Sequence, residues 1–166
     1  MSELIQRDDE AFMRLALRQA EQAAEAGEVP VGAVAVAGGQ VIARAHNQVE
    51  LLKDGTAHAE MLVLTQAAAA RGGWRLNEVT LYVTKEPCVM CAGAMVNTRL
   101  GRLVFGCPDP RGGAAGSVLT LTDQPGLLHT VPVTGGILAE ACRDLIQDFF
   151  RRRRRETQET AGSTEK

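Results

Sequence analysis

Apolar residues recur along this chain with two periods, and the switches between them lay out an α/β domain. Phe12, Leu15, Ala16, Ala20 and Ala23 share one face at helical spacing. Asp8 or Asp9 is placed to cap that helix and Gly27 to end it. Val31 to Ala37 is a short apolar run, Gly38-Gly39 a two-residue turn, and Val41 to Ala45 a second run, which together read as a hairpin. His46 to Thr56 is polar, contains Asp54-Gly55 and reads as a loop. The alanine-rich stretch from Ala57 to about Ala70 predicts a helix, stopped by Gly72-Gly73.

Val79 to Thr84 is a β-branched strand that delivers the chain to a pair of cysteines and a helix running to about Thr98. Arg102 to Cys107 is the next strand, and strand–helix–strand is the pattern of a right-handed parallel crossover. Pro108 to Ser117 is too glycine-rich for regular structure. Val131 to Val133 offers a short further strand, with Pro132 counting against it. Ile137, Leu138, Ala141, Cys142, Leu145, Ile146, Phe149 and Phe150 mark one apolar face of a final helix, predicting burial of both phenylalanines. Residues 157–166 hold nothing to bury and are expected to be a disordered tail. The expectation is one α/β domain over residues 1–156, with helices on both faces of a mixed sheet and no internal repeat.

Composition changes this picture little. At 166 residues, 45% hydrophobic and 23% charged, the chain is one ordinary globular domain able to bury a core without disulfide staples. No apolar run reaches membrane-spanning length, and the first residues lack the basic-then-apolar pattern of an export signal. The expected compartment is therefore a reducing cytoplasm, where four cysteines point to metal or core rather than disulfides. Cys107 and Cys142, among apolar neighbours, read as packing residues. A net charge of −2 does not mark a nucleic-acid binder, but Arg151 to Arg155 are consecutive arginines. They read either as phosphate contacts or as a solvated helix end complementing the dipole.

The chemistry lies in two short stretches, Thr56-Ala57-His58-Ala59-Glu60 and Pro87-Cys88-Val89-Met90-Cys91. Proline suits the first position of a helix, residues three apart share a helix face, and a helix N-terminus lowers thiol pKa. Cys88 and Cys91 can thus grip one ion, with His58 as a third ligand. Three protein ligands leave a fourth position for water, the mark of catalytic rather than structural zinc. Glu60 is then the natural proton carrier. Two residues apart, His58 and Glu60 can converge only at the first turn of a helix. A Cys-x-x-Cys pair by itself is also compatible with redox chemistry, a structural zinc in an RNA-binding module, or plain core.

His58-Ala59-Glu60 with Pro87-Cys88-Val89-Met90-Cys91 matches the H-x-E…P-C-x-x-C signature of zinc-dependent nucleobase deaminases. Val29 to Val34, Leu81 to Thr84, Glu86 to Met95, Gly112 to Ser117, Ile137 to Glu140 and Phe149 to Arg151 extend the match. Over roughly residues 4–155 the chain resembles the bacterial tRNA-specific adenosine deaminases, within the cytidine/deoxycytidylate deaminase-like superfamily. That resemblance implies a three-layer α/β/α sandwich around a mixed sheet of about five strands. It implies hydrolytic conversion of adenosine to inosine at the wobble position (34) of an arginine tRNA, by a homodimer acting on RNA and not DNA, with one Zn2+ per subunit.

By the same resemblance His58, Cys88 and Cys91 hold zinc and Glu60 shuttles the proton. Asn47 contacts the base, an amide being able to pair with both adenine edges. Val31 and Ala59 lie beside the base, Asp109 lies near the ribose, and Arg151, Arg153 and Arg154 meet phosphates. Where Cys107 and Pro108 stand, that family carries a small and then a basic residue, so this chain departs from it beside the anticodon loop. A free-base or nucleoside deaminase, acting on cytosine, cytidine or guanine with the same zinc mechanism, is the alternative the motif leaves open.

Overall fold

The computed structural model describes residues 2–163. Helix α1 (Ser2–Glu25) leads into strands β1 (Gly32–Ala37) and β2 (Gln40–His46), then a single turn α2 (Val49–Leu52) and helix α3 (Ala59–Arg71). Strand β3 (Val79–Lys85), helix α4 (Val89–Asn97) and strand β4 (Arg102–Cys107) follow, then β5 (Val133–Thr134) and helix α5 (Ala139–Ser163). The sheet order is β2-β1-β3-β4-β5. Strand β1 is antiparallel to β2 and β3, whereas β3, β4 and β5 run parallel, so the sheet is mixed, as expected.

The strands read as continuous apolar runs because both faces of the sheet are covered. Alternate side chains divide between two cores. Ala33, Ala35, Leu81, Val83, Leu103 and Phe105 pack with residues of α3 and α4. Val34, Val36, Tyr82 and Val104 pack with Met13 and Ala16 of α1 and Cys142 of α5. Cys107 and Cys142 are buried, as packing residues should be. The Gly38-Gly39 turn carries φ of 57° and 75°, the paired left-handed residues that match the twist of a tight hairpin. At Gly32 a side chain would strike the backbone of Ala16 and Ala20, so α1 crosses β1 where only glycine lets it approach.

Several expectations are corrected. Asp8 and Asp9 cap nothing, because α1 begins at Ser2. Asp9 is instead 3% exposed, and its carboxylate accepts hydrogen bonds from Tyr82 Oη at 2.9 Å and from both Arg102 Nη atoms at 2.8 and 2.7 Å. The polar stretch 46–56 contains α2, whose first amides are satisfied by the buried Glu28 carboxylate. The short strand after Val131 forms, at Val133–Thr134. Pro132 is tolerated beside it because its carbonyl, accepting from Leu103 N at 2.9 Å, is all the pairing it must supply. The last helix starts at Ala139, with Leu138 left-handed at φ 53°, and continues to Ser163 through residues expected to lack structure. Residues 164–166 of that expected tail lie outside the described residues. Phe149 is buried, but Phe150 is 40% exposed. Successive helix residues point about 100° apart, so the side of α5 that buries Phe149 and reaches Gly27 through Arg153 turns Phe150 outward, against the edge of Phe149 with ring centroids 5.4 Å apart.

Candidate active site

Helix α4 begins just past the carboxyl end of β3, α3 begins after the turn α2 that follows β2, and the residues that open the two helices face one another. His58 is the N-cap of α3 and Cys88 the N-cap of α4, both with extended backbone. Pro87 therefore precedes the cap rather than opening the helix. Cys91 lies in the first turn of α4, and Glu60 is the second residue of α3. Because His58 stands outside its helix and Glu60 within its first turn, side chains two apart reach one cavity. Both helix N-termini direct their positive dipole ends at the same point, which favours thiolates there.

His58 Nδ1 lies 3.6 Å from Cys88 Sγ and 3.6 Å from Cys91 Sγ, and the three ligand atoms fall within 4.8 Å of one another. Tetrahedral zinc, with bonds of ~2.0 Å to nitrogen and ~2.3 Å to sulfur, sets such ligands about 3.6 Å apart. The residues therefore fit a zinc ion. Hydrogen bonds from Cys91 and His58 hold the Cys88 thiol down at about 3. Cys91, buried and bonded to that thiolate, is pushed up, and His58 is raised by its bond to Cys88. Two sulfurs and an imidazole nitrogen so placed are the donor set that suits zinc. Burial raises the Glu60 carboxyl, which brings it toward the range useful for proton transfer at neutral pH.

His58, Cys88 and Glu60 open into a cavity of ≈ 320 Å³, with Cys91 buried behind them, within the size range of small-ligand sites. Val31, Asn47, Ala59, Lys85, Asp109 and Arg153 also line it. Asn47 is 7% exposed, and its Nδ2 points to Glu28 Oε2 at 3.5 Å. Asp109 Oδ2 pairs with Lys85 Nζ at 2.9 Å, and its Oδ1 accepts from the Arg111 and Gly112 amides. Arg153 Nη2 donates to Gly27 O at 3.1 Å. Arg151 and Arg154 are not brought to this cavity. Arg151 is turned to Asp148 at 3.1 Å, and both line a separate groove with Arg111 and Phe150.

Three residues that hold the cavity together went unread in the sequence. Glu28, 1% exposed, takes the amides of Glu50 and Leu51 at 3.1 and 2.7 Å. Glu86, 3% exposed, gathers the amides of Asp109, Ala115 and Ser117 at 2.9, 3.1 and 3.0 Å, and the Ser117 hydroxyl at 2.5 Å. Gly113 is required there, since a side chain would strike the Glu86 carboxylate. Lys85 supplies the counter-charge to Asp109. The available signal was an acid embedded in a buried run, which must find donors.

The profile of the MafB19-like deaminases matches residues 7–154, so fold and site together place the chain among the deaminases. The tRNA-specific adenosine deaminase of Bacillus subtilis is 48% identical over 147 residues, 89% of this chain and 91% of that protein. A solved structure from work on A-to-I editing by tRNA:A34 deaminases at the wobble position of transfer RNA is 44% identical. It superposes with a TM-score of 0.79 over 81% of this chain and 98% of its own. The chain belongs to the tRNA-specific adenosine deaminase family. A guanine deaminase from Nitrosomonas europaea shares the fold more distantly, at 26% identity and a TM-score of 0.71 over 84% of this chain and 83% of its own.

Proposed function

We infer that this chain is a hydrolase that converts adenosine to inosine at position 34 of tRNA, releasing ammonia. One observation carries the reading: in a chain of this family, Glu60 lines one cavity with His58 and Cys88, and these two form with Cys91 a group able to hold a metal. The substrate is the anticodon stem-loop of an arginine tRNA, a choice that rests on resemblance. His58 through Nδ1, Cys88 and Cys91 are the residues that would hold Zn2+. When bound, zinc supplies the Lewis acidity that makes water reactive near neutral pH.

The chain's own groups do the rest. Glu60 takes one proton from the attacking water and delivers it to the ring nitrogen beside the attacked carbon. It then takes the remaining hydroxyl proton and delivers it to the amine, which leaves as ammonia as the carbonyl forms. Asn47, with Nδ2 turned toward Glu28, presents its carbonyl oxygen for a base donor. The Ala59 amide, in the first turn of α3, is a donor for a ring acceptor. Val31 covers the base face, Asp109 lies by the ribose, and Arg153 at the cavity rim meets phosphate, with Arg151 and Arg154 following the strand outward. The target base leaves its stack to enter, at a cost of a few kcal/mol that is smallest in a loop.

The same reading includes a homodimer. Val89 on α4 and Val118, Leu119, Leu127 and Leu128 on the nearby connection are exposed apolar side chains of the kind an interface covers. Among the described residues no helix is long and apolar enough to cross a membrane, and four free thiols suit residence in a reducing cytoplasm. The test is to incubate zinc-loaded protein with an arginine tRNA bearing adenosine at position 34 and to map inosine. Inosine confined to that position is expected. A tRNA left unchanged, with ammonia released from free guanine or cytosine instead, would overturn the reading in favour of a free-base deaminase.

A further inference from the structure

The cavity that a polyanion must enter is lined by five carboxylates, Glu28, Glu50, Glu60, Glu86 and Asp109, against two cations, Lys85 and Arg153. Such a site repels a phosphodiester backbone unless its cations stand where the strand passes. Arg153 is held in place by Gly27 O and by the ring of Phe149, 5.1 Å from its guanidinium. Lys85 is the last residue of β3, three residues before Cys88 on the cavity wall. Its ammonium is 2.9 Å from Asp109 Oδ2. The Arg111 and Gly112 amides fix the other oxygen of that carboxylate at 3.0 and 3.2 Å.

The side chains of this pair are 35% and 17% exposed. An ion pair so open to water contributes little to stability, but it does hold a long, flexible side chain in one place. Among the described residues Asp109 is the acid paired with that ammonium, and an ammonium has three donors. Two N–H groups are therefore presented at the cavity mouth with their ordering cost already met.

We propose that Lys85 binds a backbone phosphate flanking the target nucleotide, with Asp109 as the positioning residue that holds its ammonium at the cavity mouth. The inference rests on the reading of the chain as a tRNA deaminase and adds to it a substrate contact on β3. Lys85 pairs with Cys107 across β3 and β4, so that contact supplies a positive charge beside Cys107-Pro108, which carry none.

The experiment measures kcat and KM on an anticodon stem-loop RNA with adenosine at the wobble position, across a range of salt, for the zinc-loaded wild type, Lys85→Met and Lys85→Arg. Lys85→Met is expected to raise KM about tenfold with kcat held within ~2-fold, and to flatten log(kcat/KM) against log salt by about 0.7. Lys85→Arg restores both. Stem-loops carrying one uncharged methylphosphonate, either 5′ or 3′ of the target, then locate the phosphate. One of them raises KM for the wild type and leaves Lys85→Met unmoved.

An unchanged KM and salt slope in Lys85→Met overturns the proposal. So does a lowered kcat at constant KM, which would mean that the ammonium only shapes the Asp109 loop, and so do methylphosphonate and Lys85→Met effects that add. If the wild type makes no inosine, the deaminase reading fails. Titration of the same fluorescent stem-loops with wild type and Lys85→Met then decides the phosphate contact by affinity alone.

Discussion

Glu60 is buried to 4% exposure beside the three candidate metal ligands His58, Cys88 and Cys91, with burial pushing its carboxyl up. A carboxyl in that setting can both accept and return a proton, so its removal should affect the chemical step and not the ligand set. Glu60→Ala is expected to keep one zinc per chain by metal analysis and to lose at least ~10²-fold in single-turnover rate. Turnover near that of the wild type would remove Glu60 from the mechanism. Glu86 carries a different charge effect. Burial raises its carboxyl, but the Ser117 hydroxyl and the amides of Asp109, Ser117 and Ala115 outweigh burial and leave it below 4.5. A depressed folded-state pKa contributes stability that is fully present above the unfolded value of about 4.5 and is lost as pH falls through the folded value. Thermal melts from pH 7 down to pH 3 should therefore show the wild type losing more than Glu86→Gln, which has no proton to gain. Parallel losses would show that this carboxylate does not couple to folding.

At the scale of elements, local pattern was legible wherever neighbours in sequence set the outcome. Strand β4 runs from Arg102 to Cys107 as its β-branched and apolar run predicts, and α3 ends at the left-handed Gly72. What stayed hidden depends on partners far along the chain. Asp9 resembles a helix cap until Arg102, 93 residues on, reaches it. Glu86 finds its donors 23 to 31 residues later. Phe150 lies at the margin of its helix's apolar face, and which of two adjacent phenylalanines is buried depends on where Gly27 and the rest of the domain meet that helix. The Asp9–Arg102 pair ties α1 to β4, and breaking a buried pair strands its remaining charge. Arg102→Met should cost about 3 kcal/mol in denaturant unfolding, and adding Asp9→Asn should recover part of it. A change within experimental error would show that water reaches Asp9.

At the scale of the whole molecule, the two-sided sheet and the active cavity followed from the pattern and the motif. Which apolar side chains stay exposed did not, because periodicity reports what faces the chain's own core. Val118 at 53%, Leu119 at 46%, Leu127 at 46% and Leu128 at 83% exposure are apolar positions without partners in one chain of 17.7 kDa. Light scattering at micromolar concentration should report twice that mass, and a monomer there would leave those side chains unexplained.

His58 and Cys88 sit at the beginnings of α3 and α4, not along their lengths. Exposed positions on the later turns of both helices can consequently be resurfaced without rotating either candidate metal-binding atom. Drift across relatives should therefore gather at the exposed residues 72–75, while buried Leu76 and Leu100 and close-packed Gly101 are held. The residues just ahead of each cap should stay constant in number, because there a single insertion would move a candidate ligand.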